Sequence, residues 1–252
     1  MDRPQAAAVF CQFKRFLSSV QDISEISFLH EHVWESVEKA DDEERLGVIC
    51  RDGHLAIHRS FVPFVYKHLS SEFRTRFAVS ADQHTEGLFG DSELRDLSAG
   101  LCVMNADLHS VWNFRFQLVR PQTPPLRVVA QKFRASPPHH SNLSIEEELH
   151  FSALVLKLHP KSGEAWAYRQ QLLDLYFLCP PCKEIEEESS KIGRGRERRR
   201  KSFVEQTEEE IHLVEEVSQQ NEQHYYSWRH WRWLLGRFRE MLKRDPPPAQ
   251  RR

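Results

Sequence analysis

Three tryptophans recur at one fixed phase, and nothing else in the chain constrains its fold as much. Each stands seven residues after a helix-breaking or capping residue: Trp112 after Asn105, Trp166 after His159, and Trp228 after Asn221. The segments continue alike, as Trp112-Asn113-Phe114-Arg115, Trp166-Ala167-Tyr168-Arg169 and Trp228-Arg229-His230-Trp231. Each is followed by Leu118-Val119, Leu172-Leu173 or Leu234-Leu235. A repeated internal phase marks stacked helical units, none of which buries its apolar face alone. The expected fold is therefore all-α, a superhelical, right-handed stack of antiparallel helix hairpins.

The flanking periodicity places the hairpins. Leu94, Leu97, Leu101 and Met104 line one helix face. Asn105 to Asp107 interrupts it, and a second helix is expected from Leu108 to Val119, before Pro121, Pro124 and Pro125 open a linker. Ser144-x-x-Glu147 reads as a capping box ahead of Leu149, Ala153 and Leu156. His159-Pro160 ends that helix, and its partner holds Trp166, Leu172, Leu173 and Tyr176. Thr207-x-x-Glu210 reads as another capping box, ahead of Ile211, Val214 and Val217. The tryptophans are fifty-four and sixty-two positions apart, well beyond the period of about 34 in tetratricopeptide repeats. Insertions must therefore separate the hairpins.

The organisation expected is a helical N-terminal extension over 1–90, helical repeats over 91–245 at about 94–119, 144–178 and 206–243, and a flexible tail at 246–252. In the extension, Val9, Phe13, Phe16 and Val20 recur at helical spacing, as do Phe61, Val65 and Leu69. Asp41 to Glu44, Arg51-Asp52-Gly53 and Ala78 to Asp91 are expected as surface loop. The insert near 183–204, led by Lys183 to Arg200, is nearly all charge, Ser and Gly and is expected to be disordered.

Composition narrows the function classes. Charged residues make up 29% of the chain but the net charge is only −2, which argues against whole-surface steering to nucleic acid. No apolar run approaches the roughly 20 residues needed to span a bilayer. Five cysteines form an odd, irregular set, and Met1-Asp2-Arg3-Pro4 leads into only a short apolar run, so reduced thiols and a cytoplasmic location are expected. Cys179-Pro-Pro-Cys182 has zinc or redox spacing without a second ligand pair. His30-Glu31-His32 begins like a zinc-protease motif, but Trp34 stands where the further histidine should be. The basic run from Arg194 to Lys201 is flanked by acidic stretches, which favours a solvated insert. No metal site, glycine-rich phosphate loop or Ser/His/Asp set is expected.

In each Trp-x-x-Arg unit the two side chains lie one helical turn apart on one face. The indole can bury against a neighbouring hairpin while the guanidinium covers its edge or reaches a helix-end carbonyl. All three tryptophans are thus expected as core between hairpins, making Trp112, Arg115, Trp166, Arg169 and Trp228 a structural signature. The pattern His159-Pro160-Lys161-Ser162…Trp166…Arg169…Leu172-Leu173 resembles the repeat of protein prenyltransferase alpha subunits. The resemblance covers about residues 92–242, closely in the second repeat and loosely in the other two.

That resemblance implies a heterodimeric transferase attaching a farnesyl or geranylgeranyl group to protein cysteines. It implies a beta subunit holding zinc and the isoprenoid, so that no cofactor is expected in this chain. By phase, it implies that Lys161 neutralises charge on the departing diphosphate and that Tyr225 contacts the isoprenyl diphosphate. A second family tyrosine is replaced by Gly163, and Trp231 stands in place of the third arginine. Pro246-Pro247-Pro248 follows soon after the third repeat where the family usually has five or more, an expectation of a truncated member. The alternative is a non-catalytic helical-repeat interaction scaffold.

Overall fold

The computed structural model describes residues 9–15, 20–38, 47–82, 92–119, 143–178, 203–219 and 225–244. The basic run 194–201, the charged insert, the tail and the Cys179–Cys182 pair lie outside the described residues. The chain divides into two compact units, Met1–Tyr168 and Arg169–Arg252.

The fold is mostly helical. In the N-terminal unit a helix at 9–15 (α1) precedes strand β1 (Glu25–Leu29), helix α2 (Glu31–Glu38), strands β2 (Val48–Arg51) and β3 (His54–His58), and the long helix α3 (Val62–Asp82). The first hairpin follows as α4 (Ser92–Met104) and α5 (His109–Val119), then α6 (Ile145–Leu158) and α7 (Gly163–Leu178). The C-terminal unit takes the rest of α7 together with α8 (Phe203–Gln219) and α9 (Tyr225–Arg244).

Sequence periodicity locates the first two hairpins well. Leu94, Leu97, Leu101 and Met104 are all buried on α4. The Asx turn at the break is made by the Asn105 side chain, which accepts from the Asp107 N–H at 3.0 Å. The Ser144–Glu147 capping box is formed in both directions. In the extension, Val9 and Phe13 of α1 and Val65 and Leu69 of α3 are buried as their spacing predicts. Gly100 allows α3 close to α4: a Cβ there would stand 3.0 Å from Leu69 Cδ1 and 3.4 Å from Phe13 Cε1.

Four expectations need correction. The N-terminal region is not helical throughout, because residues 25–58 hold a three-stranded sheet of order β1-β3-β2, parallel between β1 and β3 and antiparallel between β2 and β3. At Arg51-Asp52-Gly53 the expected surface loop is a tight turn with Arg51 and Asp52 exposed. Asp52 and Gly53 both take positive φ, 50° and 81°, and form the two-residue turn that pairs Arg51 with His54. That backbone is the primed hairpin turn whose twist suits right-twisted strands, and Asp-Gly is its common sequence. Helix α3 runs on to Asp82, into the segment expected as loop from Ala78, the rest of which lies outside the described residues. Thr207 lies inside α8, which starts at Phe203, and no capping box forms there because the Glu210 carboxylate is taken by Arg169. The buried face of α8 is Gln206, Glu210, Leu213 and Val217, so that of the expected Ile211, Val214 and Val217 the first two are turned to a half-buried position.

Strand β1 and the turn Val20–Asp22 before it pack on α6. His150 donates from Nε2 to the Ile23 carbonyl at 2.9 Å, fixing that ring's tautomer.

Candidate functional site

The turn between α6 and α7 is held at several points, and each bond follows from a signature residue. The Trp166 indole donates to the Pro160 carbonyl six residues back, at 2.9 Å. Trp112 does the same with Ala106 at 2.7 Å. The helix-breaking residue thus lies seven positions before the tryptophan so that the ring can close over the turn and satisfy a carbonyl released there. Ser162 caps α7 by accepting from the Ala165 N–H at 3.2 Å and donates to the Ala106 carbonyl at 2.9 Å. His159 donates to the Val103 carbonyl at 2.7 Å.

Lys161 projects from this anchored turn into solvent. Tyr225 opens α9, is 64% exposed, and stacks edge-on against Tyr226. These two expected contact residues belong to different units. Gly163, where a second tyrosine was looked for, begins α7.

The arginines of the signature do something sequence reasoning missed. Arg115 is buried and bonds the Glu148 carboxylate in bidentate fashion, Nε at 3.1 Å and Nη2 to the other oxygen. Its Nη1 donates to Ser98 Oγ at 3.0 Å and to the Arg95 carbonyl at 3.1 Å. Its guanidinium sits over Phe151, 4.3 Å from the ring centroid, and not on its own tryptophan. Tyr168 donates to the same Glu148 carboxylate at 2.5 Å.

The C-terminal unit repeats the device. Arg169 bonds Glu210 at 2.8 and 2.6 Å, Gln206 donates to Glu210 at 3.1 Å, and His230 Nε2 meets it at 3.2 Å. In both cases an arginine from one hairpin meets a glutamate from the next, and a ring from that next hairpin closes the cluster.

Burial and charge oppose each other in these clusters. Burial alone would raise the Glu210 carboxyl, but Arg169, with hydrogen bonds from His230 and Arg169, holds it at about 2. Burial pushes His230 down despite Glu210, and pushes Tyr168 well up with the Glu148 charge adding to it. Burial also drives the Cys102 thiol up, leaving it protonated.

A sequence signal for these partners existed. Glu148 and Glu210 each stand eighteen positions before the tryptophan of their own hairpin, and Tyr168 and His230 two positions after it. In the first hairpin the same two positions are Leu94 and Phe114, both buried.

The third unit departs from the other two. Trp112 and Trp166 are each 2% exposed, whereas Trp228 is 62% exposed and so is not core. Trp112 lies between Tyr168 at 4.6 Å and Phe151 at 6.2 Å, both from the following hairpin. Among the described residues no three His, Cys, Asp or Glu side chains cluster so as to hold a metal ion, and no helix is long and apolar enough to cross a membrane.

Comparison with known proteins bears on one of these hairpins. Residues 145–176, spanning α6 and most of α7, match the family model of the protein prenyltransferase alpha subunit repeat. Protein prenyltransferase alpha subunit repeat-containing protein 1 of Danio rerio is 26% identical over 143 residues, 56% of this chain and 28% of that relative. The similarity therefore spans little more than a quarter of the relative's length. Helices α6 and α7 and the turn between them, which carry Glu148, Lys161 and Tyr168, thus match the protein prenyltransferase alpha subunit repeat.

Proposed function

We propose that the chain is the alpha-type subunit of a heterodimeric protein prenyltransferase, inactive alone. In this reading the beta subunit holds zinc and a farnesyl or geranylgeranyl diphosphate, and the heterodimer works in the cytoplasm on a cysteine-bearing protein. The thiolate attacks the first isoprenoid carbon, the carbon–oxygen bond breaks, and the pair of electrons leaves with the diphosphate. Lys161 stabilises the charge that grows on that leaving group, and Tyr225 contributes a contact to it.

The observation that carries the reading is the repeat at 145–176, with Lys161 on its anchored turn. An exposed ammonium on a hydrogen-bonded turn is open to an approaching anion. The second reading is an interaction scaffold that kept the repeats and lost the chemistry. It is favoured by Gly163 at the place of the second tyrosine and by Trp231 at the place of the third arginine.

The test is co-expression with protein prenyltransferase beta subunits, followed by transfer of labelled isoprenyl diphosphate to a cysteine peptide. A one-to-one complex with turnover is expected. Lys161→Ala should lower kcat on the order of 10- to 1000-fold without changing assembly or melting, since the side chain is exposed. Unchanged turnover removes Lys161 from the chemistry, and failure to assemble with any beta subunit favours the scaffold.

A further inference from the structure

Strand β1 runs alongside α6 in the same direction. Gln21, just before the strand, donates to the Glu147 carboxylate in the first turn of α6. His150 donates to the Ile23 carbonyl, and Phe28 packs edge-on against His159 at the other end, with ring centroids 5.9 Å apart. Strand and helix therefore finish level with one another, and the residues after β1 lie beside the turn that carries Lys161. β3 is parallel to β1 and finishes there too, Leu29 and His58 being the last residues paired between them. All of this lies within the N-terminal unit.

The next residues are His30 and Arg59. Strand alternation puts both on the face of Phe28, the face turned toward His159. They meet there, Arg59 Nη1 donating to His30 Nε2 at 2.9 Å, with His32 stacked on the His30 ring. That bond satisfies one guanidinium N–H but cancels none of its charge. Glu31 is drawn to His58, which alternation puts on the opposite face, and Glu164 is drawn to His109. Among the described residues neither Arg59 nor Lys161 pairs with a carboxylate, and both are exposed.

We propose that Arg59 and His30 form, with Lys161, a binding site for a diphosphate group. Arg59 offers a planar fork that grips one phosphate through two oxygens, and Lys161 offers a point charge for the other. His30 accepts at Nε2 and so carries its proton on Nδ1, where it is a further donor to the anion. The two cations stand on different elements, so an anion with two charged centres bridges them where a single small anion meets only one. The class of ligand rests on the transferase reading, in which substrate and leaving group both carry a diphosphate. The site adds residues of the sheet, outside the matched repeat, to the lysine of that reading.

The test is isothermal titration of the full chain alone with inorganic pyrophosphate. Saturable binding is expected, and Arg59→Ala and Lys161→Ala should each weaken it roughly ten- to a hundredfold, the usual worth of a hydrogen bond to a charged group. Arg59→Lys should recover only part of the loss, because the charge returns without the fork. Arg51→Ala removes the same charge at the opposite end of the sheet, where Arg51 pairs with His54, and should leave binding unchanged. The absence of saturable binding overturns the proposal. So do equal losses in Arg51→Ala and Arg59→Ala, or an affinity for sulfate equal to that for pyrophosphate. Competition by geranyl diphosphate at least as strong as by pyrophosphate assigns the group to the lipid substrate, and competition by pyrophosphate alone assigns it to the released product. A chain that binds pyrophosphate in this way, yet supports no turnover with any beta subunit, keeps the site and loses the transferase reading.

Discussion

Replacing Glu148 by leucine isolates what the buried Arg115 cluster does for the N-terminal unit. The side chains of Arg115 and Glu148 are 3% and 2% exposed. Glu148→Leu leaves the guanidinium with only Ser98 Oγ and the Arg95 carbonyl as polar partners. An uncompensated buried charge of this kind costs about 3–5 kcal/mol. With a urea slope of about 2 kcal/mol/M, the midpoint should fall by roughly 2 M. Adding Arg115→Met removes the stranded charge but leaves the Tyr168 hydroxyl unsatisfied, a residual cost of about 1–3 kcal/mol. Adding Tyr168→Phe as well should bring stability to within about 1 kcal/mol of the wild type, because apolar groups of similar volume replace a buried ionic cluster at little net cost. The assay is urea titration of the full chain followed by far-UV circular dichroism, fitted with a transition for each unit. A triple variant as unstable as Glu148→Leu alone would refute the reasoning, since the loss would then reflect packing and not stranded charge.

Two further outcomes follow from the titrating and thiol groups. Glu210, held at about 2 against an ordinary 4.5, supports the fold above pH 4.5 and loses that support, about 3 kcal/mol, as pH falls toward 2. His230, lowered by burial from 6.5, is favoured neutral and adds support that is complete above pH 6.5 and fades below it. The C-terminal unit should therefore melt at falling temperature from about pH 6.5 downward, and His230→Gln should flatten the upper part of that curve in calorimetry. In the native chain, iodoacetamide should label exposed Cys11 rapidly while buried, protonated Cys102 reacts only on unfolding, read by peptide mass spectrometry.

The helical stack was legible because its signals are periodic. The spacing of Leu94, Leu97, Leu101 and Met104 and the Ser144 box fixed helix faces and ends from purely local chemistry. The sheet was missed although Asp52-Gly53 between Val48-Ile49-Cys50 and Leu55-Ala56-Ile57 is a hairpin signal. Its short strands were overshadowed by the helical pattern on either side. Thr207-x-x-Glu210 misled for a different reason: a carboxylate that can cap a helix can equally pair with a distant arginine, and only tertiary contact decides. Lys161 and Tyr225 were placed by phase alone, and their local settings, a solvent-facing turn and a helix start, are compatible with more than one use.

Trp231 also bears on how copies of this chain behave at high concentration. A repeat unit whose leading surface fits its own trailing surface makes a heterologous contact that does not close, and such contacts grow into filaments. Exchanging a hairpin between copies carries the same hazard. An exchanged helix carrying Glu148 or Glu210 would find arginine at positions 115 and 169 but tryptophan at position 231. Exchange between copies is therefore disfavoured at the third hairpin, where a single residue breaks the match.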